Sequence, residues 1–173
     1  MNNALATARP ANETAGSKYI SGRKGPEIAK LIRADIKAAA KADGTLKGCN
    51  VSVRFRWATH SMAIDVVVKS TPAAILNPER VAALAADPYT FSRLPRYTPA
   101  GDAILAACER IANEYNYRDS DPMTDYYNDT FFLDVKFDHD LVSAQERAIL
   151  RPAPVHPRFC ACHECDAVGA ACG

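Results

Sequence analysis

The stretch CNVSVRFRWATHSMAIDVVVKS, residues 49–70, decides the fold. In its first half Val51, Val53, Phe55 and Trp57 alternate with Ser52, Arg54 and Arg56. In its second half Ile64, Val66 and Val68 repeat the same period. A period of two is the mark of a half-buried strand, whose successive side chains point to opposite faces. Two such runs joined by about five residues predict a β-hairpin. One face buries the valines, Phe55 and Trp57, and the opposite face carries Arg54, Arg56 and Lys69.

Upstream, Ile28, Leu31, Ile32, Ile36 and Ala39 recur at helical spacing, which predicts an amphipathic helix beginning after Gly25 and ending near Asp43-Gly44. Pro26 falls in the first turn, where its missing N–H costs nothing. Lys30, Arg33, Lys37 and Lys41 lie largely off the apolar stripe, so the exposed side of this helix is basic. Downstream, prolines at 72, 78, 88, 95 and 99 divide the middle of the chain. A short helix is predicted at 78–86, and a longer one from Thr98, a plausible N-cap, to Tyr115. The run TFFLDVKFD (130–138) alternates through Phe131, Leu133, Val135 and Phe137 and predicts a third strand. A last helix is predicted from Val142 to Leu150. The order helix, strand, strand, helices, strand, helix defines an α+β domain. Its sheet is small and mostly antiparallel, a hairpin plus a third strand, with helices packed on one face. This domain spans 18–150, between a mobile tail at 1–17 and a Pro-rich spacer with a Cys-rich tail at 151–173.

The composition, 48% hydrophobic and 24% charged, is that of an ordinary globular protein. No apolar run approaches the roughly 18 residues of a membrane helix. The opening residues lack a charged start followed by an apolar stretch, so the predicted location is the cytosol. There thiols stay reduced, which argues against a disulfide reading of the cysteines. The net charge of +1 conceals an asymmetry. Residues 1–70 hold 12 Lys and Arg against 5 Asp and Glu, whereas residues 71–173 hold 9 against 15. Such polarity steers anionic partners to one end and cationic partners to the other, or else only keeps the two faces solvated.

Two stretches resemble a known family. KYISGRKGPEIAKLIRADIK, continuing through NVSVRFRW to AIDVVV, and YNYRDSDPMTDYYNDTFFLDVKF together resemble the large polyvalent protein-associated domains of phages and conjugative elements. The likeness covers about residues 18–138 and centres on Ser52-Val53-Arg54 and on the acidic aromatic turn. RWATHSM and STPAAI depart from the glycine-serine hairpin and glycine-proline that the family favours. The resemblance implies an α+β domain in a mobile-element setting and a role in protecting or handling incoming DNA. It brings no catalytic residues.

Three constellations carry candidate chemistry. Cys160, Cys162, Cys165 and Cys172, with His163 as an alternative ligand, offer the soft donors that a tetrahedral zinc requires. The second Cys pair of a common structural site is missing, so a reduced tail and a redox role stay open. Four protein ligands would leave no position for water, which makes such a zinc structural. Asp119, Asp121, Asp125 and Asp129 form an acidic turn. Its spacing lacks the glycine and closing glutamate of a calcium loop. It suits turn formation, a partner-binding surface that mimics DNA, or metal-dependent nuclease chemistry. Lys30, Arg33, Lys37, Lys41, Arg54 and Arg56 are candidate phosphate contacts, with Trp57 or Tyr19 available for base stacking. No phosphate-binding glycine loop, zinc-protease motif or nucleophile elbow is present.

These readings point to a non-enzymatic accessory protein of a phage or mobile element. It binds nucleic acid or a host defence protein, in a counter-defence role such as anti-CRISPR or anti-restriction. A metal-dependent enzyme acting on nucleic acid and a DNA-mimicking inhibitor are the alternatives. For the tail, elemental analysis of reduced, untagged protein is expected to find one zinc per chain, absent from the Cys162→Ser, Cys165→Ser variant.

Overall fold

The computed structural model describes residues 13–42, 44–58, 61–87, 89, 93–119 and 128–151. Strand β1 (Glu13–Ala15) is followed by helix α1 (Gly25–Ala42), then by strands β2 (Asn50–Ala58) and β3 (Ser61–Ser70). Helices α2 (Pro78–Ala86) and α3 (Pro99–Asn113), strands β4 (Tyr117–Asp119) and β5 (Phe132–Phe137), and helix α4 (His139–Leu150) complete the order. The α+β class is thus as the sequence predicts.

The hairpin forms in the expected register, with Val53 opposite Val66, Phe55 opposite Ile64 and Ala58 opposite Ser61. The third strand joins parallel to β3, placing Leu133 beside Ile64, Val135 beside Val66 and Phe137 beside Val68. A parallel neighbour needs a long crossover, and the segment holding α2, α3 and β4 supplies it. The sheet order is therefore β2-β3-β5, with β2 as one edge. On its inner face Val53, Ile64, Val66 and Val68 are fully buried with Phe137, beneath Ile28, Ile32 and Ile36 of α1 and Ile104, Cys108 and Ile111 of α3. Each such aliphatic side chain contributes about 1.5–3 kcal/mol by leaving water, which makes this layer the main source of stability.

Capping agrees with the sequence where side chains are suited to it. Thr98 accepts from the Gly101 N–H at 3.1 Å, with Pro99 next in line. Asn77 caps α2 by accepting from the N–H groups of Glu79 and Arg80. Helix α4 starts three residues earlier than expected because Asp138 accepts from the Asp140 N–H at 3.0 Å. That hydrogen bond, seconded by Lys69, holds the Asp138 carboxyl below its usual range. Helix α4 docks through Gln145, whose amide oxygen accepts from the Ile75 N–H and whose nitrogen donates to the Ala73 carbonyl.

Regular structure begins before the expected boundary at residue 18. Glu13–Ala15 pairs antiparallel with β4, Thr14 lying opposite Arg118, in a second, two-stranded sheet. Beside it Asn116, only 5% exposed, donates through Nδ2 to the Phe131 carbonyl at 3.1 Å and accepts from the Phe131 N–H at 3.3 Å. One side chain thus satisfies both main-chain groups of a residue buried just before β5. Asn116→Ala would strand both, at a cost of about 1–3 kcal/mol for each buried orphan. A lowered urea midpoint is the expected reading, with Asn116→Asp failing to restore it because a carboxylate cannot donate.

Candidate nucleic-acid interface

The basic surface is built on α1, beside the edge of β2 that pairs with no other strand among the described residues. Lys30, Arg33, Lys37 and Lys41 are all exposed. At 3.6 residues per turn they fall within an arc of about 80° and extend about 16 Å along the helix. Lys30, Lys37 and Lys41 form no hydrogen bond or ion pair among the described residues. Arg33 does: its Nη2 donates to the Val53 carbonyl. That carbonyl therefore points outward, away from β3, and Arg33 closes part of the exposed edge of the sheet. Behind Arg33 and Lys37, a groove of about 400 Å³ opens between α1 and β2, lined also by Ile36, Ala40, Cys49, Asn50 and Val51.

Arg54 and Arg56 do not belong to this surface. They occupy the outer face of the hairpin, opposite the face that α1 covers. There Arg56 Nε holds both carboxylate oxygens of Asp65, at 3.0 and 2.8 Å. Lys136 pairs with Asp134 on the same face. The outer face is largely self-neutralised, and of its cations only Arg54 forms no ion pair among the described residues. As strand phase and helical spacing predict, the six cations divide between a four-residue helix flank and a separate sheet face, which cross-strand pairing mostly compensates.

Only part of the acidic turn falls among the described residues. Asp121 and Asp125 lie outside them, as do Cys160, Cys162, His163, Cys165 and Cys172. Asp119 belongs to β4, and its N–H donates to the Asn128 carbonyl at 3.0 Å. Asp129, 8% exposed at its side chain, pairs with Arg118 Nε at 3.2 Å. These two aspartates close a strand-to-strand connection, so Asp129 does not serve as a free contact for a partner. No group of three or more metal-ligating side chains occurs among the described residues. Cys108 lies in the core, where burial, with a smaller effect of Cys49, pushes its thiol up to about 12.

Period two places Trp57 on the buried phase of its strand, but the side chain is 74% exposed. The strand outruns its helix. Gly25, the first residue of α1, packs on Phe55, so nothing in α1 lies above residue 57. The same crossing brings Tyr19, which the sequence leaves isolated, to line one cavity with Trp57.

A second polar cluster anchors the segment before α1. Lys18 Nζ lies 2.6 Å from both Asp35 and Glu114, and the Tyr115 hydroxyl donates to Asp35 at 2.6 Å. These bonds, Lys18 first, hold the Asp35 carboxyl below its ordinary value. The two carboxylates raise the Lys18 ammonium in turn. Burial, then the hydrogen bond to Asp35, pushes Tyr115 up to about 12.

The chain matches no protein-family profile, no curated protein and no solved structure at a significant level.

The Lys18 cluster has a defined pH signature. A carboxyl depressed in the folded state stabilises above its ordinary pKa of 3.8, and this contribution is lost as the pH falls through the lower folded value. Lys18 behaves inversely, contributing fully below its ordinary 10.5 and losing the contribution as the pH rises through the higher folded value. Both side chains are part-exposed, so the pair contributes about 0.2–1 kcal/mol. Asp35→Asn is expected to lower stability by that amount at neutral pH and to flatten its loss in acid, measured by denaturant titrations across pH.

Proposed function

We propose that the protein is a non-enzymatic accessory factor of a phage or conjugative element that binds nucleic acid along the flank of α1. The observation that carries the reading is the row of Lys30, Lys37 and Lys41 on one helix face, beside Arg33, with no ion pair among the described residues. Three long cations kept in water on one side of an otherwise near-neutral chain make a focused positive field. Backbone phosphates are the polyanion that such a row fits. The resemblance to polyvalent domains supports the mobile-element setting, a bacterial cytoplasm and a counter-defence role.

The six cations do not take equal parts. Arg56 is already committed to Asp65, and a phosphate would have to displace that carboxylate. Lys30→Glu, Lys37→Glu, Lys41→Glu is therefore expected to weaken binding to labelled oligonucleotides at least tenfold. The slope of log K against log salt should fall by about 0.7–0.9 for each phosphate that is no longer neutralised. Arg54→Glu, Arg56→Glu is expected to change affinity much less. Fluorescence anisotropy at several salt concentrations measures both. Wild-type protein that binds no oligonucleotide at low salt, or a triple variant that binds as well as wild type, rejects this function. Arg33 is left in place throughout because it holds the Val53 carbonyl.

A further inference from the structure

At the start of α1 lies an aromatic cavity that phosphate binding alone does not require. The cavity, about 600 Å³, is lined by Tyr19, Arg23, Lys24, Phe55, Trp57 and Met62, with the Gly22, Gly25 and Pro26 backbone and Thr130 completing its wall. Its apolar floor is aromatic and its rim is cationic, and no carboxylate side chain among the described residues lines it. Lys24 is exposed and forms no ion pair among the described residues. Arg23 is half-buried, donating to the Lys18 carbonyl at 3.3 Å and lying 3.6 Å from Glu27.

Trp57 is the only tryptophan of the chain. It meets Phe55 edge-on, with ring centroids 5.4 Å apart and planes at 79°. In that arrangement Phe55 can cover at most one face of the indole, so at least one face stays clear of it. Tyr19 is steadied from behind by stacking on Tyr117 at 5.3 Å. Two aromatic rings in fixed settings, one of them open to water, form a platform for a planar apolar group. The cationic rim selects a planar group that carries negative charge beside it. A nucleobase on its phosphodiester has both properties, and stacking on an aromatic side chain accepts any base. Within a duplex both faces of a base are already stacked, so only an unpaired base can enter.

Resting on the nucleic-acid reading, we propose that this cavity is a base-stacking site for single-stranded nucleic acid. Trp57 is the platform, and Lys24 holds a flanking phosphate. The α1 flank then takes phosphates of either single or double strands, and the cavity confers preference for the single strand.

The experiment uses the intrinsic fluorescence of Trp57, titrated with an unlabelled dT oligonucleotide and with a duplex of equal length. Anisotropy of the same ligands, labelled, is followed for wild type, Trp57→Ala and Trp57→Phe. Single strands are expected to quench Trp57. Trp57→Ala is expected to weaken single-strand binding about 5- to 150-fold while leaving duplex binding unchanged, with Trp57→Phe recovering part of the loss. Because the indole is exposed, thermal melting should confirm that both variants fold as wild type does. If Trp57→Ala binds single strands like wild type, the cavity proposal is overturned while α1 binding stands. If wild type binds neither ligand, the nucleic-acid reading and the cavity proposal fall together. Quenching of Trp57 by an acidic peptide but by no oligonucleotide also overturns the proposal, in favour of a protein partner.

Discussion

The close approach of α1 to β2 at Gly25 and Phe55 governs the arrangement of this molecule. A Cβ at position 25 would lie 2.1 Å from a carbon of the Phe55 ring, well inside any tolerable contact. With a hydrogen in that place the helix settles directly on the ring, and its first turn is pinned over the far end of β2. The helix then runs back along the strand, so that Arg33 reaches Val53 and Lys37 lies beside Asn50 and Val51. Shifting this contact by one helical turn, about 5.4 Å, would move every cation relative to the sheet edge. It would also cover or expose Trp57 differently. The buried stripe, the basic flank and the open indole all follow from a single steric fit.

Much of the fold is legible from local rules because local rules determine it. The hairpin is written in the alternation of residues 51–57 and 64–68, and its register is the one that puts both apolar sets on one face. Helix α3 is announced by Thr98-Pro99 and stopped close to where its stripe ends. What is not legible depends on partners remote in sequence. Strand β1 has three residues, Glu-Thr-Ala, with no periodicity, and exists only because β4 lies opposite it. The parallel setting of β5 is fixed by the crossover, since the same alternation serves a parallel or an antiparallel neighbour. The two roles of Asn116 could not be inferred from an asparagine between two tyrosines.

For the site, helical periodicity alone places the α1 cations on one exposed flank, and there the structure has them. Sequence spacing sets Arg54 and Arg56 on the outer face but misses the pairing of Arg56, which depends on cross-strand neighbours. Asp65 and Asp134 come from other strands, and they turn that face into an alternating, compensated surface. It fails for Trp57 for a related reason. Alternation gives the phase of a residue, whereas burial also requires something above it, and α1 starts over Phe55, one pair short of residue 57.

The same geometry separates two explanations for the cations. A free sheet edge invites pairing with other chains, and natural proteins guard it with long charged side chains. Arg33 fits that role, because its guanidinium holds an outward-facing carbonyl of β2. An edge guard has to reach the strand, however. Lys30, Lys37 and Lys41 form no hydrogen bond among the described residues, and each is exposed. Protection of the edge therefore accounts for Arg33 and not for the three lysines, which stand in solvent. Lys24, which lines the aromatic cavity, precedes the first turn of the same helix. A polyanion with flat apolar side groups would meet charge along the helix and an open ring at its end.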